Sequence, residues 1–285
     1  VWPVRGASEG GTPVTVLGSG FSSSAEALGA LRCRFNAMVV SAAYVSESAV
    51  VCNSTASAAG HVSVEVSTNG REYTASGVAF EMVSLVVRGM APWSGPSLGG
   101  TVVTIAGAHF SQAADVLSCR FGRVVPSQAA SAHGSDGVRC VSPVGLPTGW
   151  SSVELSMYGA TLRSGGSLYV HAPMYVSEVV PPAGPVSGGT RVSVIGAGFR
   201  HSATLRCRFE GSGATAVARR VGAGQLECAS PASSSAGARR ISLSANGQQF
   251  SLGAAMFTYR PAAAVSSVWP VRGASEGGTP VTVLG

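Results

Sequence analysis

The tripeptide Gly-Gly-Thr ends at Thr12, Thr101, Thr190 and Thr279, and successive copies lie 89 residues apart. Three such intervals take up 267 of the 285 residues. The 18 that remain, Val268 to Gly285, repeat Val1 to Gly18 letter for letter. A fold that tiles at this interval is a small domain, long enough to bury a core but short enough that the core leaves a thin margin of stability. Only 11% of the residues are charged and 45% are hydrophobic. Such a chain is too apolar to stay disordered and too poor in Glu and Lys for a coiled coil.

Six cysteines fall two to a unit: Cys33 and Cys52, Cys119 and Cys140, Cys207 and Cys228. The first of each pair opens the tripeptide Cys-Arg-Phe, at 33–35, 119–121 and 207–209, and the second closes an apolar run. An even count repeated in every unit reads as one disulfide per domain, and so as an oxidising compartment. Closing a loop of about 20 residues constrains the unfolded chain and stabilises each domain by roughly 3 kcal/mol. A zinc site would need Cys-x2-Cys spacing or grouped histidines. His61, His109, His133, His171 and His201 occupy unrelated positions in their repeats, so no metal is expected.

Within the first unit, Pro3 to Gly6 reads as a turn and Val14-Thr15-Val16 as a short strand. His61 to Ser67 alternates apolar and polar residues, the period of a half-buried strand. Asn69-Gly70 follows, and because both residues tolerate positive φ this pair predicts a two-residue type I′ hairpin. The return strand ends at Phe80-Glu81-Met82. The plan recurs with Val153 to Leu155, Tyr158-Gly159 and Tyr169, then with Ile241 to Leu243, Asn246-Gly247 and Phe257 to Tyr259. Helical periodicity persists nowhere. About seven short strands per unit predict an all-β fold of tandem immunoglobulin-like β-sandwiches. On a strand, the Cys and Phe of Cys-Arg-Phe face one way and the Arg faces the other. Cys33 and Phe35 are therefore expected in the core, with Arg34 covering the outer face.

Pro-x2-Gly, Gly-Gly-Thr, Gly-x-Gly-Phe, Cys-x-Phe, Cys-x-Ser-Pro and Asn-Gly follow one another in fixed order, and this order resembles the IPT/TIG domain, an immunoglobulin-like module of cell-surface receptors and some transcription factors. Gly18-Ser-Gly20-Phe21 and Gly196-Ala-Gly198-Phe199 match fully, whereas Gly107-Ala-His109-Phe110 carries His for the second Gly. Cys140-Val-Ser-Pro143 and Cys228-Ala-Ser-Pro231 match, but the first unit reads Cys52-Asn-Ser-Thr55. The corresponding domains are 1–84, 85–173 and 174–263, with 264–285 the start of a fourth. The resemblance implies a binding or structural module with no catalytic residues to carry over.

The residues themselves agree with a non-enzymatic reading. Asp115 and Asp136 are the only aspartates, too few for paired-carboxylate catalysis or an acidic calcium site. No nucleophile elbow with a partnered His is evident, and no cofactor is expected. All 19 basic residues are Arg, scattered except at Arg219-Arg220 and Arg239-Arg240. That pattern makes no phosphate-tracking surface, so no nucleic-acid partner is expected and a Rel-type nuclear module is disfavoured. Nor does any stretch approach the ~20 apolar residues that span a bilayer.

Three features point to function. Asn53-Ser54-Thr55 is the only N-glycosylation acceptor, so an N-linked glycan is expected at Asn53, with O-glycans on Ser22 to Ser24 and Ser233 to Ser235 as a further reading. Second, Phe80 to Pro92 and Tyr169 to Pro181 leave little flexible chain between domains, which predicts neighbours held at fixed orientation. Third, unit two matches unit one at nine of the first 18 positions, whereas Val268 to Gly285 matches at all 18. The duplicated element is thus the triplet of domains, as suits a homogeneous fibre. These features predict a rigid, glycosylated extracellular filament or surface appendage whose partners are further copies of the same repeat. The alternative is the stalk of a cell-surface receptor or adhesin. Residues 268–285 are expected to continue into another unit, the alternative being donation of a strand to another protomer.

Overall fold

The computed structural model describes all residues except 111–115, 135, 212–213 and 252, and only the backbone of 124–128 and 161–163. Asp115 thus lies outside the described residues. Two compact units are present, Val1–His171 and Ala172–Gly285.

The first sandwich of Val1–His171 contains β1 (Arg5–Ala7), β2 (Pro13–Leu17), α1 (Ser23–Ala27), β3 (Arg32–Phe35), β4 (Met38–Ser41), β5 (Ala43–Ser46), β6 (Ala49–Asn53), β7 (Gly60–Ser67) and β8 (Ala79–Val83). One sheet has the order β1-β8-β7-β3-β4 and the other β2-β6-β5. Every pairing is antiparallel except β1 with β8, where Arg5 lies opposite Glu81. The alternation read from the sequence sets the faces. Val14 and Val16 of β2, Val50 and Cys52 of β6, Cys33 and Phe35 of β3, and Phe80 and Met82 of β8 meet in one core. Full burial of each large apolar side chain contributes about 1.5–3 kcal/mol, which this thin domain needs.

The second sandwich repeats the plan. Ser94–Pro96, Ala160–His171, Gly149–Met157, Leu117–Phe121 and Val124–Ala129 form one sheet in that order. Ser131–Ala132, Gly137–Val141, Val102–Ala108 and Val86–Ala91 form the other. The stretch between the two domains is therefore a strand of the second one: Val86–Ala91 pairs with Val102–Ala108 before the chain crosses, at the cis peptide Ala91-Pro92, to the opposite sheet. In Ala172–Gly285, Tyr175–Val180 pairs with Arg191–Ala197 in the same way. The recurrent segment at the end forms a two-stranded ribbon, Ser267–Trp269 with Thr282–Leu284.

Three local expectations are revised. Pro3 to Gly6 is more than a turn, because Arg5–Ala7 forms β1. Of the serines read as O-glycan candidates, Ser22 accepts a hydrogen bond from the Ala25 amide and caps the five-residue helix α1, in which Ser23 and Ser24 lie. Asn69-Gly70 is not a two-residue I′ turn. The Asn69 carboxamide oxygen accepts from the amides of Arg71 and Glu72, holding the backbone in an Asx-type loop where only Gly70 has positive φ. The I′ turn occurs instead at Tyr158-Gly159, with φ of 49° and 82°, between directly paired Met157 and Ala160.

Candidate functional site

The repeated motifs fold into one another. Thr12 is fully buried, and its amide donates to Ser54 Oγ at 3.1 Å. Thr101 and Thr190 do the same to Ser142 and Ser230, at 3.0 and 3.1 Å. The serine two residues after the second cysteine is thus the acceptor of the threonine amide, which is fully buried at Thr12 and Thr101. Backbone bonds flank the contact: the Gly11 amide donates to the Ser54 carbonyl and the Ser54 amide to the Thr12 carbonyl. Gly10, at φ +82°, lies so close to this loop that a Cβ would come within 2.6 Å of the Ala56 nitrogen. Both motifs are legible in the sequence, but the contact that links them is not. The usable signal was their near-constant separation.

Two residues before each of these serines, a cysteine joins the sheets. Cys33–Cys52, Cys119–Cys140 and Cys207–Cys228 are disulfides with Cα–Cα distances of 6.3, 6.0 and 6.5 Å. Each links a Cys-Arg-Phe strand in one sheet to the strand before Cys-x-Ser in the other. The intervening arginines do face outward. Arg34 pairs with Glu65 across β3 and β7 and lies 4.4 Å from the centre of the Tyr73 ring. Arg120 pairs with Glu154. In the third repeat Ser242 stands opposite Arg208, which instead packs over the Phe250 ring.

Asn53 is the last residue of β6 and stands opposite Pro13. Strand alternation turns Cys52 inward, Asn53 outward and Ser54 inward, so the carboxamide of the acceptor site is exposed while its middle residue serves the threonine lock. Two differences from the other repeats build it: Asn53 at the variable position, where they have Val141 and Ala229, and Thr55, where they have Pro143 and Pro231.

The first junction is continuous core. Ala7, Val83 and Leu85 pack, at 0–1% exposure, in the same cluster as Val103, Ile105 and Phe110 of the second sandwich. His109, standing where the other repeats have Gly20 and Gly198, keeps the positive φ of that position at 67°. Its Nδ1 sits 3.1 Å from the Ser84 carbonyl, so the departure ties the second domain to the segment joining it to the first. Trp2 meets Tyr158 edge to face across the same junction. A strand of the next domain, rather than a short linker, accounts for the closeness read from the spacing.

In Ala172–Gly285, the Tyr259 hydroxyl donates to the Pro231 carbonyl at 2.8 Å. Burial pushes its pKa above the usual 10, with Arg239 and Ser230 pulling less strongly the other way. Among the described residues no three His, Cys, Asp or Glu side chains are grouped to hold a metal ion, and no helix is long and apolar enough to cross a membrane.

The family profile described as IPT/TIG domain matches residues 1–82, 85–170 and 174–259. The chain belongs to the IPT/TIG family. Human Fibrocystin-L is 27% identical over 296 residues, covering 99% of this chain and 6% of that protein. Plexin-2 of Caenorhabditis briggsae is 26% identical over 203 residues, covering 68% of this chain and 11% of the relative. The solved extracellular region of plexin A4 superposes with a TM-score of 0.49 at 19% identity, over 96% of this chain and 26% of that one. These IPT/TIG domains therefore span only a small part of the length of the curated relatives they match.

Proposed function

We propose that this chain is a non-catalytic spacer of an extracellular structure, built from IPT/TIG domains, stiffened at the first junction and N-glycosylated at Asn53. The observation that carries the reading is the first junction, where Ala7, Val83 and Leu85 share a core with the second sandwich. Two domains that share buried apolar surface resist bending, unlike domains on a Gly/Ser tether. One disulfide per domain supports an oxidising compartment, and the exposed Asn53 supports a glycan there.

Within that reading, the letter-for-letter return of Val1 to Gly18 at Val268 to Gly285 favours a homogeneous filament or surface appendage. Each 267-residue period would present the same contacts to neighbouring copies. A second reading, the stalk of a larger surface receptor or adhesin, is favoured by the kinship with plexins and Fibrocystin-L, in which the matched stretch is a small segment of a long chain. Electron microscopy of native material distinguishes the two. Continuous fibres decorated by antibody at a regular axial repeat are expected for the filament, and isolated stalks on membranes would exclude it.

A further inference from the structure

Two of the four tryptophans, Trp93 and Trp150, stand side by side on the outer face of the second sandwich's larger sheet. Trp93 is 46% exposed and Trp150 is 68% exposed. Their ring centroids lie 6.5 Å apart, and the Tyr169 ring meets Trp150 at 5.1 Å. The sheet sets this up: Trp150 pairs directly with Tyr169, whose amide donates to the Trp93 carbonyl.

The fold does not require aromatics there. The same backbone bonds identify the equivalent positions in the other repeats. In the first domain the Glu81 amide donates to the Val4 carbonyl and Glu81 pairs with His61. In the third the Thr258 amide donates to the Pro182 carbonyl and Thr258 pairs with Ala238. The sandwich therefore forms with Val, His and Glu, or with Pro, Ala and Thr, at the sites that hold Trp, Trp and Tyr in the second domain. Core packing does not explain three aromatics on one outer face.

Polar groups border them. Along the strand that carries Trp150, the next outward residues are Ser152 and Glu154, and Glu154 is ion-paired with Arg120. A groove of about 620 Å³ begins at Trp150 and is lined by Arg123, Leu146, Pro147, Ser152 and Glu154. The exposed aromatic surface is roughly 300 Å², given the usual 150–250 Å² of each ring side chain. A stable protein contact needs about 800 Å² from each partner. The aromatic surface alone falls well short of that, and with its polar border it suits a small ligand with apolar faces and hydroxylated edges.

We propose that this face of the second domain binds a pyranose oligosaccharide. Sugar C–H faces would lie on Trp93 and Trp150, and sugar hydroxyls would reach Ser152 and the Arg120–Glu154 pair. This site is independent of the spacer role, since a rigid stalk or fibre needs no ligand there.

The test is tryptophan fluorescence titration of the full chain with cellohexaose, mannohexaose and a galacturonic acid hexamer, the last arm separating neutral from acidic sugars. A saturable change with at least one is expected. The double variant Trp93→Val, Trp150→His installs side chains the first domain already carries at these positions, so folding is preserved and near-ultraviolet circular dichroism verifies it. Isothermal calorimetry, which does not depend on the lost fluorophores, should show binding weakened at least about tenfold, or about 1.4 kcal/mol. Trp269→Phe should leave binding unchanged. Absence of binding to all three sugars, or equal binding by the double variant, overturns the proposal. So does self-association of the unmodified chain in sedimentation that the double variant abolishes, which would assign the face to a contact between copies.

Discussion

Replacing Ser142 by alanine tests the threonine lock directly. Ser142 is 3% exposed, and its hydroxyl accepts the amide of Thr101, which is itself fully buried. Alanine fits the space and keeps the two backbone bonds on either side, from the Ser142 amide to the Thr101 carbonyl and from the Gly100 amide to the Ser142 carbonyl. What it removes is the hydroxyl acceptor of a buried N–H. Leaving such a donor unmet costs about 1–3 kcal/mol, against the small net gain of an ordinary hydrogen bond. For a domain of this size each kcal/mol shifts the midpoint by roughly 4–8 °C, so a loss near 2 kcal/mol lowers it by about 8–16 °C. Fluorescence reports mainly the second domain: Trp93 and Trp150 lie in it, Trp2 packs against its Tyr158, and Trp269 is already 72% exposed in the folded chain. Ser142→Ala should lower the thermal midpoint seen by tryptophan emission, while Ser230→Ala, which removes the same contact from the third domain, should leave that signal in place. An unmoved midpoint for Ser142→Ala would refute the assignment of the serine as the buried acceptor.

Thr55→Pro restores the residue of the other repeats and should leave the first domain folded while native material loses the mass of one N-linked glycan; an unchanged mass means Asn53 was never modified. A Cβ at Gly107 would fall inside the Val86 carbonyl oxygen and 2.7 Å from the Phe110 ring. Gly107→Ala should therefore cost about 1–3 kcal/mol and expose residues 84–92 to limited proteolysis, and unaltered protease resistance would contradict the close approach. The double variant Cys119→Ala, Cys140→Ala opens a link spanning 21 residues and should lower stability by roughly 3 kcal/mol in urea unfolding. Tyr259 holds its proton more tightly folded than unfolded, so the unfolded chain ionises first and stability should fall as pH rises above 10. Urea unfolding on either side of that pH should show the loss, and Tyr259→Phe should flatten it.

Strand alternation was legible because its cause is local: a side chain's face follows from its position in the pleat, so Cys33, Phe35 and Arg34 could be placed from three letters. The cysteine pairs were legible because the repeat supplied three copies of one arrangement. The Asx loop at Asn69 was not, since Asn-Gly supports either a tight turn or a side-chain-capped loop and the choice lies in bonds to Arg71 and Glu72. The strand Val86–Ala91 was hidden as well. Its pairing partner lies beyond the cis peptide and belongs to the following domain. The Trp93–Trp150 face was within reach, because comparing positions 89 residues apart sets Trp150 against His61. Seeing that the third member was Tyr169 required the register of the sheet.

The parallel pairing of β1 with β8 has a mechanical consequence. β1 opens its domain and β8 closes it; 169–171 and 258–260 likewise close theirs against 94–96 and 183–185, which there follow the strands Val86–Ala91 and Tyr175–Val180. A pull along the chain enters at the leading end of one strand and leaves at the trailing end of the other. The pair must then slide lengthwise, so its hydrogen bonds strain together, whereas a hairpin under tension peels one bond at a time. The first domain thus meets tension in its shear direction and would stretch little before it yields.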